Sequence, residues 1–114
     1  MKNEIYDFID KKGGGISFVE LERIDGFKGD FEMLLEPKNI IFWQGINQVA
    51  ITAINELLEE KRIVCYPSSV LVYLFDGKQM NLPICNKISF KKYKNPHWLP
   101  VVFWTAEQFQ KIRK

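Results

Sequence analysis

Three neutral polar side chains are spaced so that an α-helix would place them together. Gln48, Thr52 and Asn55 follow one another at intervals of four and three residues, and residues at that spacing share a helix face. A helix fits the major groove of DNA, where an amide side chain can bond an adenine edge bidentately. The spacing therefore predicts a face that reads bases in double-stranded DNA. An ordinary solvated helix face remains the alternative.

Glu56, Glu59 and Glu60 follow this face at once and would repel phosphate groups. We therefore expect much of the DNA affinity to come from basic and hydroxyl side chains further along the chain. Each phosphate that a lysine or arginine neutralises releases counterions, so such binding is sensitive to salt. The candidate contacts are Lys61, Arg62, Ser68, Ser69, Lys91, Lys92 and Lys94. The alternative for the lysines at 91–94 is protection of an exposed sheet edge from aggregation.

Charge is distributed unevenly along the chain. Residues 1–60 carry six Lys/Arg and twelve Asp/Glu, a net charge of −6, whereas residues 61–114 carry ten and two, a net charge of +8. Such an asymmetry suggests an anionic partner for the basic half. Mutual neutralisation of an acidic and a basic face is the alternative.

The sequence offers little for catalysis or metal binding. His97 is the only histidine, and Cys65 and Cys85 are far apart at a spacing that fits no zinc motif. No Gly-x-Ser-x-Gly or Cys–His arrangement is present, and no matched pair of carboxylates stands out. We therefore predict a protein that is not an enzyme and has no cofactor or metal.

Length and hydropathy predict one domain that does not enter a membrane. The 114 residues fit a single domain, and no apolar run approaches the ~20 residues of a membrane span. Charges are spread through the first twelve residues, unlike a signal peptide. We expect a cytoplasmic protein with two free, buried thiols.

The candidate residues are positioned by a predicted helix and two predicted strands. Residues 48–61 show a wide apolar stripe at helical spacing, with Asn47 as the cap. The β-branched and aromatic residues at 63–66 and 70–75 predict two strands joined by a polar turn at 67–69. Asp76-Gly77 predicts a hairpin that returns a further strand through "KQMNLP".

The remaining segments predict short elements. "NEIYDFIDKK" reads as a helix stopped by three glycines, "SFVE" and "TAEQ" as capping boxes that each open a helix, and "NIIFW" as a buried strand. "FEMLLE", after a potential cap at Asp30, predicts another short helix. Residues 84–100 read as an extended basic arm.

The join between "ELLEEKRI" and "IVCYPSSVLVYL" resembles the junction of recognition helix and wing in winged helix-turn-helix DNA-binding proteins. The resemblance implies an α+β fold of several short helices with a small antiparallel β-sheet. Residues 1–114 would form one winged-helix domain with a C-terminal extended arm and helix. It also implies that residues 48–61 are the recognition helix and residues 63–75 the wing. About twenty residues separate "SFVELERI" from "INQVA", more than the short turn usual in that family.

These features together predict a small protein that binds double-stranded DNA, as a symmetric dimer on repeated or inverted half-sites. Its size and composition are typical of an accessory or regulatory factor of a mobile element. A weaker, global similarity to relaxosome accessory proteins of conjugative plasmids suggests binding at a transfer origin, and transcription repression is equally open. A protein–protein interaction module without DNA binding is the alternative. Single-stranded RNA stacking on "FKKYKNPHW" is a third.

Overall fold

The fold is that of a computed structural model, which describes residues 1–85 and 92–112. Residues 86–91 of the predicted basic arm, including the candidate contact Lys91, lie outside the described residues. In chain order the elements are α1 (Lys2–Lys12), β1 (Ile16–Ser17), α2 (Phe18–Leu21), β2 (Lys28–Leu35), a 3₁₀ turn (Glu36–Lys38), β3 (Ile40–Ile46), α3 (Gln48–Glu59), β4 (Ile63–Pro67), α4 (Val70–Asp76), β5 (His97–Trp98), β6 (Val101–Thr105) and α5 (Ala106–Ile112).

The described strands form two three-stranded sheets, so the predicted α+β class is confirmed. The first sheet has the strand order β1-β6-β4, with both neighbouring pairs antiparallel. The second has the order β2-β3-β5, in which β2 and β3 are antiparallel and β3 and β5 are parallel. Among helices formed by the described residues, none is both long and apolar enough to cross a membrane.

Aromatic side chains make up much of the core. The Tyr73 ring lies 5.1 Å from the rings of Trp43 and Trp98, measured between centroids, and the Phe18 ring lies 5.1 Å from that of Phe103. All five side chains are buried. Because Trp43 is on β3 and Phe103 on β6, this cluster joins the two sheets into one core.

The predicted helix over "FEMLLE" is wrong, because residues 31–35 belong to β2 and Glu36 begins the 3₁₀ turn. Met33 pairs with Trp43 on β3, and the antiparallel register continues to Leu35 and Ile40. Met33 is also the only buried side chain of this strand. The pairing with β3 satisfies the backbone and overrides the helix propensity of Glu, Met and Leu.

The predicted second wing strand at residues 70–75 is also wrong, because it forms the helix α4. Ser69 caps it by accepting a hydrogen bond from the Leu71 N–H at 3.1 Å, and Gly77 ends it in the left-handed conformation, with φ +93°. The predicted first strand is confirmed as β4, but β4 pairs with β6 instead of residues 70–75. Residues 78–83, the expected return strand, adopt no strand.

Helix α4 is fixed to the core by buried polar contacts. The Tyr73 hydroxyl donates to the Val101 carbonyl at 2.6 Å and accepts from the Phe18 N–H at 3.1 Å. The Ser17 hydroxyl donates to Asp76 at 2.6 Å. These contacts tie the long connection between β4 and β6 to β1, α2 and β6.

The caps predicted for α2, α3 and α5 and the glycine stop of α1 are confirmed, whereas Asp30, the potential cap of the "FEMLLE" helix, lies within β2. Asn47 caps α3, Ser17 caps α2, and Thr105 with Gln108 forms a reciprocal capping box at α5. Helix α1 ends at the three glycines as expected. A Cβ at Gly14 would lie 2.3 Å from the Trp104 ring, so the glycine turn is also a close packing contact.

Candidate nucleic-acid interface

The three predicted base-reading residues lie on the exposed side of α3. The buried residues Ala50, Ile54 and Leu57 turn the opposite side of the helix into the core. Gln48, Thr52 and Asn55 are exposed. The Gln48 amide donates to the Thr52 hydroxyl at 3.4 Å, which holds the two neighbouring side chains together.

A shallow cleft of about 360 Å³ runs beside this face, between α3 and the start of α1. Its lining combines apolar, polar and oppositely charged groups: Met1, Lys2, Gln48, Val49, Thr52, Ala53 and Glu56. Val49 is 61% exposed and adds an apolar group to the face. The N-terminal half of α3 is therefore neutral, and its acidic residues lie in the C-terminal half and the turn that follows.

Lys61 and Arg62 lie together in the turn after α3, where Lys61 has φ +59°. The Arg62 guanidinium stacks over the Tyr6 ring at 4.6 Å from its centroid and lies 3.6 Å from the Glu60 carboxylate. The Lys2 ammonium group also donates a short hydrogen bond to the Glu60 carboxylate. This hydrogen bond, together with the positive charges of Lys2 and Arg62, lowers the pKa of Glu60. Arg62 therefore connects α1 to the turn after α3. Lys61 is the more exposed of the two basic residues.

Ser68 and Ser69 do not form a wing tip. The Ser68 N–H donates to the Pro100 carbonyl at 2.9 Å, which extends the β4–β6 pairing, and Ser69 caps α4. At ~3.3 Å per residue, the six steps from Arg62 to Ser68 span roughly 20 Å. The structure therefore separates these serines from the basic pair at the end of α3.

Lys92 and Lys94 belong to an arm that is held on the turn between β2 and β3. The Tyr93 N–H donates to the Lys38 carbonyl at 3.2 Å, and the Asn39 amide donates to the carbonyls of Tyr93 at 3.2 Å and Lys94 at 3.3 Å. Both Lys92 and Lys94 are exposed. The hydrogen bonds bring these two lysines beside Lys38, a set that we call the basic cluster.

Two residues of this arrangement, Lys38 and Asn39, were missed in the sequence. Asn39 adopts the left-handed conformation, with φ +56°, and accepts the His97 N–H through its carbonyl at 3.1 Å. The His97 and Tyr93 rings stack with centroids 3.8 Å apart. The motif "PKN" indicates the turn, because asparagine tolerates the left-handed region. It does not indicate the segment that the turn contacts, because that segment is more than fifty residues away in the chain.

The described residues form no group of three or more metal-ligating side chains. Burial, followed by the charge of Asp76, raises the pKa of Glu20, and burial raises the pKa of the Cys65 thiol to about 12. The Ser17 hydroxyl donates to the Asp76 carboxylate and accepts from the Glu20 N–H, so both of its hydrogen bonds hold the fold together. Of the surfaces described here, the basic cluster carries the charge that suits an anionic partner, whereas the exposed face of α3 is neutral in its N-terminal half and acidic in its C-terminal half.

Comparison with protein-family models, with curated proteins and with solved structures found no match.

Proposed function

We propose that this chain is a winged-helix protein that binds double-stranded DNA through α3. The observation that supports this proposal best is the order of its elements. When β2, β3, α4 and β5 are set aside, the remaining order is α1, β1, α2, α3, β4 and β6, and the sheet order is β1-β6-β4. A last strand that lies between the other two is what the winged-helix plan requires, and this agreement supports the proposal. Relative to that plan, β2 and β3 form an inserted hairpin, and residues 68–100 take the place of a short wing.

The charge along α3 suggests how it would enter the groove. Gln48 and Asn55 provide amides that can bond adenine edges, and the helix N-terminus favours nearby phosphate. Glu56 and Glu59 occupy the other end of the exposed face. The N-terminal half of α3 would therefore enter the major groove, and the acidic end would tilt away from the backbone.

The basic cluster would contact the flanking phosphates. Strand β3 runs from beside Lys38 to the start of α3, and its seven residues span about 23 Å at ~3.3 Å per residue. One helical turn of B-DNA is about 34 Å, which is longer than this distance. A duplex bound at α3 would therefore present phosphate groups within reach of the basic cluster. Lys92 and Lys94 then supply salt-dependent affinity without reading sequence.

This DNA contact would serve an accessory or regulatory factor of a mobile element. Marking a plasmid transfer origin and repressing transcription both need recognition of a defined site. A symmetric dimer on two half-sites would provide it, with centres about 34 Å apart or at a multiple of that distance.

The test is a fluorescence-anisotropy titration against a library of fragments from the source genome, with random duplex and single-stranded RNA as competitors. The double variant Gln48→Ala/Asn55→Ala should lose affinity for the selected fragment and keep its affinity for random duplex. In a salt series, Lys92→Gln/Lys94→Gln should reduce the slope of log K against log salt by about 2, since each phosphate contact contributes about 0.9.

Lys11→Gln/Lys12→Gln is the matched control, because it removes the same charge from the end of α1. An equal change in slope in this control would show that net charge, rather than the basic cluster, determines binding. Absence of duplex binding at 50 mM salt, or preference for the RNA competitor, would refute the proposal.

A protein-interaction module is the second candidate, and α4 favours it. Leu71, Leu74 and Phe75 lie at helical spacing and are 67%, 46% and 95% exposed, so one face of this helix is apolar and uncovered. Binding to a protein through this face would resist added salt and would be lost in Leu71→Ser/Phe75→Ser. A complex that this variant retains, or that dissociates as salt rises, would exclude α4 as the contact.

A further inference from the structure

Strand β4 forms an open edge of its sheet. It is the last strand in the order β1-β6-β4, and the described residues place no strand on its other side. The Ala106 N–H donates to the Arg62 carbonyl, and the Ser68 N–H donates to the Pro100 carbonyl, both at 2.9 Å. Because hydrogen-bonded pairs alternate along an antiparallel ladder, the N–H and C=O groups of Ile63 and Cys65 point away from β6.

A groove of about 480 Å³ follows this edge. Leu58 at the end of α3 forms one wall, Phe109 and Gln110 of α5 form the other, and the backbone from Ile63 to Cys65 lines the floor. The groove therefore combines outward backbone groups with a side wall from α3 and another from α5.

An apolar hollow of about 570 Å³ adjoins this groove on the outer face of the sheet. Val64 and Phe109 line both spaces, so the two lie side by side. Tyr66 and Ile112, which also line the hollow, are 54% and 53% exposed. Side chains of a strand added beside β4 would find apolar surface here.

The edge lacks the protection that sheet edges usually carry. Native edges are blunted by charged side chains or bulges, whereas β4 contains no charged residue and its proline stands at the far end. Lys61 is the single charged residue in the lining of the groove. Its ammonium group gives that end of the groove a preference for a carboxylate.

The size of the groove favours a peptide over a second copy of this chain. The five residues of β4 span about 17 Å, and a strip roughly 10 Å wide along them offers about 170 Å². A stable dimer needs about 800 Å² from each partner. A second copy would also bring its own helices α3 and α5 against the same walls.

We propose that the edge of β4 is a docking site for an extended, largely apolar peptide segment of another protein, which adds as a strand and places a carboxylate near Lys61. The peptide backbone would bond the N–H groups of Ile63 and Cys65 and the outward carbonyls, and alternate side chains would lie against Phe109 and Tyr66. Strand addition of this kind gives affinity through the main chain and specificity through alternate side chains. The site is separate from the exposed face of α3, so it stands or falls independently of DNA binding.

Hydrogen exchange monitored by NMR tests the site directly. In the free protein the amides of Ile63 and Cys65 should exchange quickly, whereas those of Val64 and Tyr66 should be protected. The probes are six-residue peptides alternating valine or isoleucine with threonine, each prepared with a free C-terminal carboxylate, as the C-terminal amide and with alternate amides N-methylated. Adding the carboxylate form should protect Ile63 and Cys65, and N-methylation should weaken binding about fivefold for each bond removed.

Two variants keep the outcome interpretable. Lys61→Gln should abolish the preference for the carboxylate over the amide form, which should be about threefold because an exposed ion pair contributes ~0.2–1 kcal/mol. Phe109→Ala should weaken every probe, whereas the control Leu71→Ala, on the exposed face of α4, should change nothing. The inference is overturned if no probe shifts the Ile63 and Cys65 amides at 1 mM, if N-methylated probes bind equally well, or if these amides become protected by raising the protein concentration alone, which would indicate a second copy.

Discussion

Replacing Tyr73 by phenylalanine is the sharpest test of the position of α4. Its hydroxyl bonds the Val101 carbonyl and the Phe18 N–H, and its ring lies against Trp43 and Trp98. Burial raises the pKa of this hydroxyl, which therefore stays protonated as a donor. Tyr73→Phe keeps the ring contacts and removes only the oxygen.

The expected cost follows from the two lost hydrogen bonds. Each contributes a net ~0.5–1.5 kcal/mol, and a buried donor or acceptor left without a partner costs ~1–3 kcal/mol. The free energy of unfolding should therefore fall by about 3 kcal/mol. With an unfolding entropy of ~2.1 cal/mol/K per residue, the 114 residues give a decrease in Tm of roughly 12 °C.

Urea denaturation followed by circular dichroism measures this change, and Tyr66→Phe is the matched control. Tyr66 is 54% exposed, so removing its hydroxyl should cost less than ~0.5 kcal/mol. If both variants lose the same stability to within that margin, the Tyr73 hydroxyl is not in a buried network, and the placement of α4 against β6 and α2 is wrong.

Three further changes test other contacts. Gly14→Ala should lower the free energy of unfolding by about 3 kcal/mol, because the added Cβ would lie 2.3 Å from the Trp104 ring at a residue with φ +87°. The control Gly13→Ala has a similar φ of +86° and nothing within 4 Å, so it should cost only ~1 kcal/mol. Equal losses of stability in urea denaturation would exclude the packing contact at Gly14. Ser17→Ala should lower the free energy of unfolding by ~1–2 kcal/mol through loss of the α2 cap and of the hydrogen bond to Asp76. No change in urea denaturation would contradict both contacts. Burial raises the pKa of the Cys65 thiol to about 12, so at pH 8 this thiol should remain neutral. In a variant that retains Cys65 as its single cysteine, Ellman's reagent should react only in urea. Reaction in buffer at the rate of free cysteine would show that Cys65 is accessible.

The sequence predicted the elements whose local signals agree with the fold. Helix α3 combines an apolar stripe with a cap at Asn47, and β4 combines β-branched residues with a start just after the helix. Both are confirmed. Their propensity, periodicity and terminal signals all point to the same structure, so tertiary packing had nothing to override.

The wrongly predicted strand at residues 70–75 shows where local signals conflict. Residues 70–75 are β-branched and aromatic, but Ser69 and Gly77 cap both ends of a helix. Asp76-Gly77, interpreted as a hairpin, is the C-terminal end of that helix. The caps were visible in the sequence, and they outweighed the β propensity because they satisfy backbone groups that propensity leaves open.

The candidate site was predicted in part. The shared exposed face of Gln48, Thr52 and Asn55 follows from helical spacing alone. The position of Lys92 and Lys94 beside Lys38 depends on backbone hydrogen bonds between segments more than fifty residues apart, and no short-range pattern encodes such contacts.

The position of β6 has a consequence for synthesis on the ribosome. This strand lies between β1 and β4 although it comes last of the three in the chain. Until residues 101–105 emerge, the nascent polypeptide displays two strands that have no central partner and a Tyr73 hydroxyl that lacks its acceptor. We expect any translation intermediate that stops earlier to remain incompletely packed and to engage chaperones, because exposed strand edges favour aggregation.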